Sequence, residues 1–352
     1  MAYIGENRCL SFRNSFCEPL PSARFSTSEA SDFGRTLSRF FGRFSIGCDG
    51  FANLPVLYAV CCGISECGKD VFVCENTDLP SFRFALPLLS SDCGIFIGGS
   101  SSPRIYIFGK NAFSLPSATI SAIIKSPPAK TAEKCGKIKR TTSFRDIYTE
   151  NLAQSSSNIS CSIPASVSCG NKSVRSLWLE FFSGNDENLV FQVSDDGQRV
   201  NAFSADLGFI SHEKLTLAHV LKISESGQAV FLPDNFHYIA ESPNIRRFSE
   251  SENIPTEAVQ QRFLNDPLYM ILQLTADLKD FSERIKNLPP LATSRREIII
   301  SSPPENPKTI DRPDGRIIIT RSGRNRIMLT AQALSAETAS ELCNITLREY
   351  TP

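Results

Sequence analysis

The chain lacks a charge bias, because its 352 residues carry 37 basic and 37 acidic side chains. A balanced charge provides no general electrostatic attraction to nucleic acids or to anionic membrane surfaces. The sequence also lacks an apolar run of the roughly 18 residues that a membrane-spanning helix needs. Its polar first residues do not contain the apolar core of a secretory signal. These absences predict a cytoplasmic protein whose partner is neither a nucleic acid nor a membrane.

Several motifs for metal and nucleotide binding are missing. The twelve cysteines include no Cys-x-x-Cys pair, and their apolar neighbours predict buried, reduced thiols. His212 and His219 would lie about 10 Å apart along a helix, too far to bind one ion directly. The segment SCGNKS lacks the spacing of a phosphate-binding P-loop, and GGSSSP lacks the G-x-S-x-G pattern of a nucleophile elbow. The sequence therefore gives little support to a zinc protein or a nucleotide hydrolase.

What the sequence does contain is an alternation of apolar strands and helices. Residues 54–63 predict a helix, DVFVC a strand, LPSFRFALPLL a helix, and CGIFIG and IYIFG two further strands. Such alternation predicts a mainly parallel sheet that is covered by helices on both faces. Near the end of the chain, REIIIS, RIIITRS, RIMLTAQAL and ITLREYT, with a helix that Ser335 could cap before the last of them, predict an α+β domain with an antiparallel sheet.

The strongest helical pattern begins at Asp266, which is placed to cap a helix, and Pro267 suits the first turn. Apolar side chains then repeat every 3.5 residues as far as Leu288. This spacing predicts one continuous helix with its apolar stripe packed in the core.

The first candidate for a catalytic loop is GIFIGGSSSPRIYIFGK, in which a strand ends at Gly98 and Gly99 and Ser100 follows in a turn. The loop resembles the T-A-S-H-N-P phosphoserine loop of the α-D-phosphohexomutases, the superfamily of phosphoglucomutase, phosphomannomutase and phosphoglucosamine mutase. The resemblance implies that Ser100 is the catalytic nucleophile and also a ligand of the metal. It further implies that Lys110, after the next strand, binds phosphate.

The second candidate loop is LVFQVSDDGQRVNAFS, which resembles the D-G-D-x-D-R metal loop of the same superfamily. Ser194, Asp196 and Gln198 stand at the three aspartate positions, and Arg199 matches the arginine. The resemblance implies a magnesium ion at these residues. Because Mg²⁺ is held mainly by carboxylates and phosphate oxygens, one carboxylate and two neutral oxygens predict a weakened site.

The third candidate loop is TRSGRNR, which resembles the phosphate-binding segment R-P-S-G-T-E-P near the end of these enzymes. The resemblance implies phosphate-binding roles for Arg321, Ser322, Gly323, Arg324 and Arg326, since guanidinium groups bind phosphate oxygens in pairs. A solvated end of a hairpin is the alternative interpretation.

Two further segments bear on the resemblance. FSIGCDGFAN is similar to the opening F-G-T-D-G-I-R-G motif, which implies that Asp49 contributes to the phosphosugar site. No counterpart of the sugar-reading G-E-x-S-G-H loop is present. The chain is also short between the matched loops, so the second and third domains are predicted to be shortened.

The predicted fold class is α/β, with consecutive mainly parallel α/β domains of phosphohexomutase type followed by a C-terminal α+β domain. The basic segment at 126–145 lacks interleaved aromatic residues, which favours a linker over a nucleic-acid-binding patch. The predicted divisions are an extension at 1–40, a phosphoserine-loop α/β domain at 41–125, a linker at 126–145, a shortened metal-loop α/β domain at 146–225, a remnant sugar-binding α/β domain at 226–292, and a phosphate-binding α+β domain at 293–352.

The leading functional hypothesis is a phosphohexomutase-like protein that is catalytically weak or inactive and that binds a hexose phosphate or an active mutase homologue. Phosphoryl transfer needs positive charge around the nucleophile, and several of the residues that would provide it are replaced here. One alternative is an active mutase that transfers phosphate through Ser100. The other is a purely structural or interaction protein.

Overall fold

The computed structural model describes residues 10–12, 17–19, 25–50, 53–99, 104–141, 144–155, 163–184, 188–233, 236, 243–248, 254–301, 304, 308–323 and 325–350. The chain divides into two compact units. One unit comprises Met1–Ala205 with Leu264–Tyr269, and the other comprises Asp206–Phe263 with Met270–Pro352.

The first unit contains a seven-stranded sheet with a parallel centre. Its strands are β1 (Leu10–Phe12), β2 (Cys17–Pro19), β3 (Arg43–Cys48), β4 (Asp70–Cys74), β5 (Cys93–Gly98), β6 (Arg104–Gly109) and β7 (Ile138–Arg140). They lie in the order β1-β2-β6-β5-β3-β4-β7. Strand β3 pairs in parallel with β4 and β5, and β4 pairs in parallel with β7. Strands β1, β2 and β6 extend the other side of the sheet through antiparallel pairs.

Four helices accompany this sheet: α1 (Thr27–Leu37), α2 (Leu54–Glu66), α3 (Leu79–Leu88) and α4 (Ser117–Lys125). Helix α1 packs so closely on α2 that a Cβ atom at Gly63 would lie 2.0 Å from the backbone oxygen of Ser31. Ala30, Phe33 and Leu37 are buried in the same core as the strands.

Two of the predicted divisions therefore differ from the structure. The end of the range 1–40, predicted as an extension, contains α1 and belongs to the core of the first unit. The range 126–145, predicted as a linker, contributes β7 to the edge of the sheet. The apolar residues of α1 pack on α2, whereas the three residues of β7 are exposed, so only the pairing with β4 makes that segment a strand.

The rest of the first unit is a smaller α/β arrangement. It contains α5 (Arg145–Ser155), β8 (Ser166–Ser168), α6 (Lys172–Trp178), β9 (Leu189–Val193) and β10 (Val200–Ser204). Strand β8 is parallel to β9, and β9 is antiparallel to β10. Trp178 packs against Phe182 and Phe191, with ring centroids 5.6 Å and 6.0 Å away. This aromatic cluster anchors the strand that leads into the predicted metal loop.

The second unit begins with β11 (Gly208–Ile210), α7 (His212–Glu225) and the parallel pair β12 (Val230–Pro233) and β13 (Ile245–Phe248). Helix α8 (Thr256–Gln260) and a 3₁₀ turn (Arg262–Leu264) precede α9 (Pro267–Thr275) and α10 (Leu278–Asn287), and the first three residues of α9 belong to the first unit. The prediction of one continuous helix from Asp266 to Leu288 was therefore wrong. Asp277 starts a new helix, because its side chain accepts hydrogen bonds from the backbone N–H groups of Lys279 and Asp280 at 2.9 Å and 3.2 Å.

The C-terminal region is α+β, as the sequence predicted. Strands β14 (Ala292–Ile299), β15 (Lys308–Arg312), β16 (Gly315–Gly323) and β17 (Arg326–Ala333) form an antiparallel sheet in the order β14-β17-β16-β15. Helix α11 (Ala336–Tyr350) follows, and Ser335 caps it by accepting a hydrogen bond from the backbone of Thr338 at 3.0 Å. The segment ITLREYT, predicted as a separate sheet segment, is instead the continuation of this helix as far as Tyr350.

None of the helices in the described part of the chain combines the length and the hydrophobicity that crossing a bilayer requires.

Candidate functional site

The residues of interest in the first unit lie at the carboxyl ends of its parallel strands. The chain leaves β3 for β4 on one side and later returns to β5 on the other side, so the strand order reverses at β3. Open α/β sheets bind their ligands outside the carboxyl ends of the strands at such a reversal. Asp49 directly follows β3, and Gly99 directly follows β5.

Asp49 holds the backbone that precedes Ser100. Its Oδ2 accepts a hydrogen bond from the N–H of Gly99 at 3.3 Å. The side-chain amide of Asn53 donates to Oδ1 of Asp49 at 3.1 Å and to the backbone oxygen of Gly99 at 3.2 Å. Asn53 is buried, so these contacts are shielded from water. The turn before Ser100 is thus fixed at both its N–H and its carbonyl group.

Ser100 itself and residues 101–103 lie outside the described residues. The role of Ser100 as a nucleophile, and as a metal ligand, stays a prediction. The role of Asn53 was not predicted, because it arises from a contact with Gly99, which is 46 residues away in the sequence.

A second contact joins Asp49 to the smaller α/β arrangement of the same unit. The side-chain amide of Asn171 donates to Oδ2 of Asp49 at 3.3 Å. The side-chain oxygen of Asn171 also accepts hydrogen bonds from the N–H groups of Ser173 and Val174, which caps α6. The segment SCGNKS, which has no P-loop spacing, therefore functions as a helix cap and as a bridge to Asp49.

The predicted metal loop is a tight turn between β9 and β10 that is closed by its own side chains. The hydroxyl of Ser194 donates to Oδ1 of Asp196 at 2.6 Å, and the N–H of Gln198 donates to the same oxygen at 3.0 Å. The N–H of Arg199 donates to the hydroxyl oxygen of Ser194 at 3.0 Å. Gly197 allows the turn by adopting a φ of +69°.

The remaining oxygen of Asp196 faces β6. The hydroxyl of Tyr106 donates to Oδ2 of Asp196 at 3.1 Å, and Tyr106 is only 3% exposed. Burial raises the pKa of the Tyr106 hydroxyl, and the adjacent Asp196 carboxylate raises it further. Tyr106 is therefore a protonated donor at neutral pH. Arg104, at the start of β6, forms a hydrogen bond with the Tyr106 hydroxyl. This hydrogen bond and the positive charge of Arg104 partly oppose the rise in the pKa of Tyr106.

The donor set of the loop does not fit a magnesium ion. Both oxygens of Asp196 accept hydrogen bonds from protein donors. The side-chain oxygen of Gln198 accepts a hydrogen bond from Arg83. Among the described residues, no group of three or more His, Cys, Asp or Glu side chains is arranged to hold a metal ion. Magnesium prefers octahedral coordination by oxygens, with carboxylates among them. The three positions that the resemblance assigns to the metal offer two neutral side chains and one carboxylate, Asp196, whose oxygens already accept hydrogen bonds.

Lys110 does not join this cluster. Strand β6 runs antiparallel to β5, so that Arg104 lies opposite Gly98 while Gly109 lies opposite Cys93. Lys110 is therefore at the far edge of the sheet, roughly 17 Å from the turn at about 3.3 Å per residue. The predicted phosphate role of Lys110 came from its place after β6 in the sequence, which does not give the direction of that strand. The antiparallel pairing instead places Arg104 near the turn.

The C-terminal phosphate segment belongs to the second unit. Gly323 pairs with Arg326 at the end of the β16–β17 hairpin, and the register shifts between Arg321 and Gly323. Arg326 is exposed and donates to the carboxylate of Glu297 on β14 at 3.4 Å. Arg324 lies outside the described residues, as do the side chains of Arg321 and Ser322. Their phosphate-binding roles stay predictions.

No protein-family model matches this chain, and no curated protein sequence matches it. Solved structures do match it along almost its whole length. A phosphoglucomutase/phosphomannomutase family protein from Burkholderia thailandensis is similar with a TM-score of 0.67 and 13% sequence identity, over 96% of each chain. A phosphoglucomutase from Paramecium, the exocytosis-sensitive phosphoprotein parafusin in its open form, is similar with a TM-score of 0.56 and 10% identity, over 91% of this chain and 90% of that chain.

At these identities the similarity concerns the fold. The predicted resemblance is confirmed at that level: this chain has the fold of the phosphoglucomutase/phosphomannomutase proteins.

Proposed function

We propose that the chain binds a hexose phosphate at the carboxyl edge of the first unit's parallel strands, and that it transfers phosphoryl groups weakly or not at all. The observation that carries this proposal is that both carboxylate oxygens of Asp196 accept hydrogen bonds from protein donors. This residue is the single carboxylate among Ser194, Asp196 and Gln198, and its two oxygens are occupied by Tyr106, Ser194 and the backbone of Gln198.

Binding is supported by the arrangement of polar groups at this edge. Asp49 and Asn53 hold the turn at Gly99, and the exposed Arg199 lies directly before the strand that follows the closed loop. Arg104 adds a second guanidinium group at the start of β6. Two arginines near fixed backbone groups suit a phosphate, because guanidinium groups donate paired hydrogen bonds to phosphate oxygens.

Weak transfer follows from the charge balance. A phosphoryl group in transfer carries negative charge on its equatorial oxygens, and catalysis depends on cations placed to neutralise it. Of the three positions that the resemblance assigns to the metal, only Asp196 is a carboxylate, and its oxygens accept hydrogen bonds from protein donors, while Ser194 and Gln198 are neutral. The nearby arginines are therefore expected to hold a phosphate in place without activating it fully.

The test separates binding from turnover. Thermal unfolding is measured with glucose 1-phosphate, mannose 1-phosphate and glucosamine 6-phosphate, each against inorganic phosphate. We expect one of the hexose phosphates to raise the melting temperature of the wild type, Arg199→Ala to reduce this shift at least severalfold, and Lys125→Ala on α4 to leave it unchanged. A coupled mutase assay with magnesium is expected to show no turnover above the background of Ser100→Ala. Turnover that Ser100→Ala abolishes would refute the weak-transfer half of the proposal, and the absence of any shift would refute the binding half.

The second candidate is an active mutase that works through phosphorylated Ser100. It is favoured by one observation, the double clamp of Asp49 and Asn53 on the residue before Ser100, because such a fixed turn suits a nucleophile. Intact-mass measurement after incubation with a hexose bisphosphate tests it. One added phosphate that disappears in Ser100→Ala would support this candidate, and an unchanged mass would exclude it.

A further inference from the structure

Arg83 is a buried cation that the proposed ligand site does not use. It lies on α3 and is 9% exposed. Its Nε and Nη2 atoms donate to the backbone oxygen of Ala112 at 3.1 Å and 2.6 Å. Its guanidinium group also donates to the side-chain oxygens of Gln198 and Asn265 and lies 4.8 Å from the ring centre of Phe108. All of these hydrogen-bond acceptors are neutral.

A buried cation held by neutral oxygens is costly unless carboxylates nearby compensate its charge. Burial lowers the pKa of Arg83 to about 10, while the carboxylates of Asp266 and Asp196 oppose this change. The guanidinium group is therefore charged at neutral pH, and Asp196 of the closed loop is one of the two anions that stabilise it.

The same helix also supports the loop sterically. A Cβ atom at Gly197 would lie 2.8 Å from Cγ of Pro80, one turn before Arg83 on α3. The loop is thus in contact with α3 through Gly197 and is hydrogen-bonded to it through Gln198. Gln198 presents its carbonyl oxygen to the arginine at the position where the resemblance implies a metal ligand.

We propose that the guanidinium group of Arg83 provides, from within the chain, the positive charge that organises the loop of residues 194–199, so that this loop keeps its shape without any divalent cation. The hydrogen bond from Arg83 to the side-chain oxygen of Gln198 and the contact of Gly197 with Pro80 support this role. The role of Arg83 concerns the loop alone. The test below can therefore disprove this role while hexose phosphate binding is confirmed, and the binding test can fail while this role is confirmed.

The test uses a matched pair of variants in the full chain. Gln198→Glu places a carboxylate against the guanidinium group of Arg83, and Arg83→Gln/Gln198→Glu places the same carboxylate there without the cation. Thermal unfolding is followed by circular dichroism and by fluorescence of Trp178, the single tryptophan, which packs near β9. Each protein is measured in EDTA, in millimolar magnesium chloride, and in sodium chloride of equal ionic strength.

We expect the melting temperatures of the wild type and of Gln198→Glu to be the same in magnesium and in EDTA. The double variant is expected to be less stable, and magnesium is expected to raise its melting temperature saturably, because two carboxylates then lack a protein cation. Merely structural packing by Arg83 would not produce this metal dependence.

A saturable magnesium-induced rise in the wild type or in Gln198→Glu would overturn the proposal. A folded double variant that does not respond to magnesium would also overturn it, because the guanidinium group would then not be replacing a cation. If the double variant does not fold, the comparison of the wild type with Gln198→Glu decides the matter by the same criterion.

Discussion

The hydroxyl of Tyr106 donates a hydrogen bond to Asp196 across 3.1 Å, and this contact joins a strand of the large sheet to a turn 90 positions later in the chain. Asp196 in turn accepts from Ser194 and from the backbone of Gln198. The carboxylate that the sequence suggests as a metal ligand is thus a structural acceptor within the first unit.

Tyr106→Phe is expected to destabilise the first unit. It removes the donor while leaving Oδ2 of Asp196 in a partly buried position, and hydrogen bonds to charged groups contribute about 2 kcal/mol. The loss is measured by urea unfolding followed by Trp178 fluorescence. Tyr58→Phe is the comparison, since the hydroxyl of Tyr58 contacts Glu75 and Arg140 at the surface, where water replaces it. Equal losses in the two variants would contradict a special contribution of the Asp196 contact.

Asn53→Asp is expected to disrupt the turn before Ser100. The new carboxylate would face Oδ1 of Asp49 and the carbonyl oxygen of Gly99, both of which now accept hydrogen bonds from Asn53. We expect a loss of about 2 kcal/mol at pH 7 from the two missing bonds and the repulsion.

The pH dependence of Asn53→Asp provides a check on the cause. Two carboxylates in contact raise each other's pKa in the folded state, so the folded state binds a proton before the unfolded state does. Stability relative to the wild type should therefore recover as the pH falls towards 4. Asn188→Asp, at an exposed position, is the control. If the loss of stability in Asn53→Asp does not change with pH, repulsion from Asp49 is not its cause.

Gly197→Ala is expected to be more destabilising than Gly208→Ala. Both glycines have a positive φ, +69° and +66°, so an alanine at either costs about 1–2 kcal/mol of backbone strain. A Cβ atom at Gly197 would also lie 2.8 Å from Pro80, whereas at Gly208 nothing lies within 4 Å. Thermal unfolding of both variants measures the difference. Equal losses would mean that α3 moves away from the loop without cost.

His219 is expected to make the second unit sensitive to acid. It is 3% exposed, lies 5.0 Å from the ring of Phe263, and neither of its ring nitrogens has a hydrogen-bond partner among the described residues. Burial lowers the pKa of His219 to about 3, and Lys222 contributes to this shift. The unfolded state therefore binds a proton below about pH 6.5 while the folded state does not.

It follows that stability is fully present above pH 6.5 and falls by up to about 1.4 kcal/mol per pH unit as the pH decreases towards 3. His219→Phe should flatten this slope, and His212→Gln, on the same helix but less buried, should leave it largely unchanged. Denaturant unfolding at a series of pH values measures the slope of the unfolding free energy against pH. An identical slope in the wild type and in His219→Phe would disprove the assignment.

Much of the fold could be predicted from local patterns. The strands at Asp70–Cys74 and Cys93–Gly98 and the helix at Leu54–Glu66 follow directly from runs of apolar residues with clear breaks. The break at Asp277 was not predicted, because the apolar stripe continues across it and only the capping geometry reveals a new helix. The strand at Ile138–Arg140 was missed because all three residues are exposed and the pairing with β4 alone makes it a strand.

The candidate site could be predicted only in part. Asp49 and Asp196 were predicted from the order of the loops along the chain, and their roles in binding stay predictions. The contacts of Asn53, Arg83, Tyr106 and Asn171 were not predicted. The motif patterns give none of these four residues a role, and each becomes relevant through a contact with a residue that is remote in the sequence. Lys110 was predicted to bind phosphate, and its distance from the turn was not foreseen because the direction of β6 is not encoded in its local pattern.

The sequence by itself determined the α/β class, the antiparallel C-terminal region and the order of three loops that resemble those of the phosphohexomutases, since these depend on apolar periodicity and on the residues of the turns. Only the tertiary structure decided that Asp196 is an occupied acceptor, that Lys110 lies at the far edge of the sheet, and that a buried arginine contacts the loop. Strand direction, burial and the partners of a carboxylate arise from contacts between distant segments, and one-dimensional patterns do not contain them.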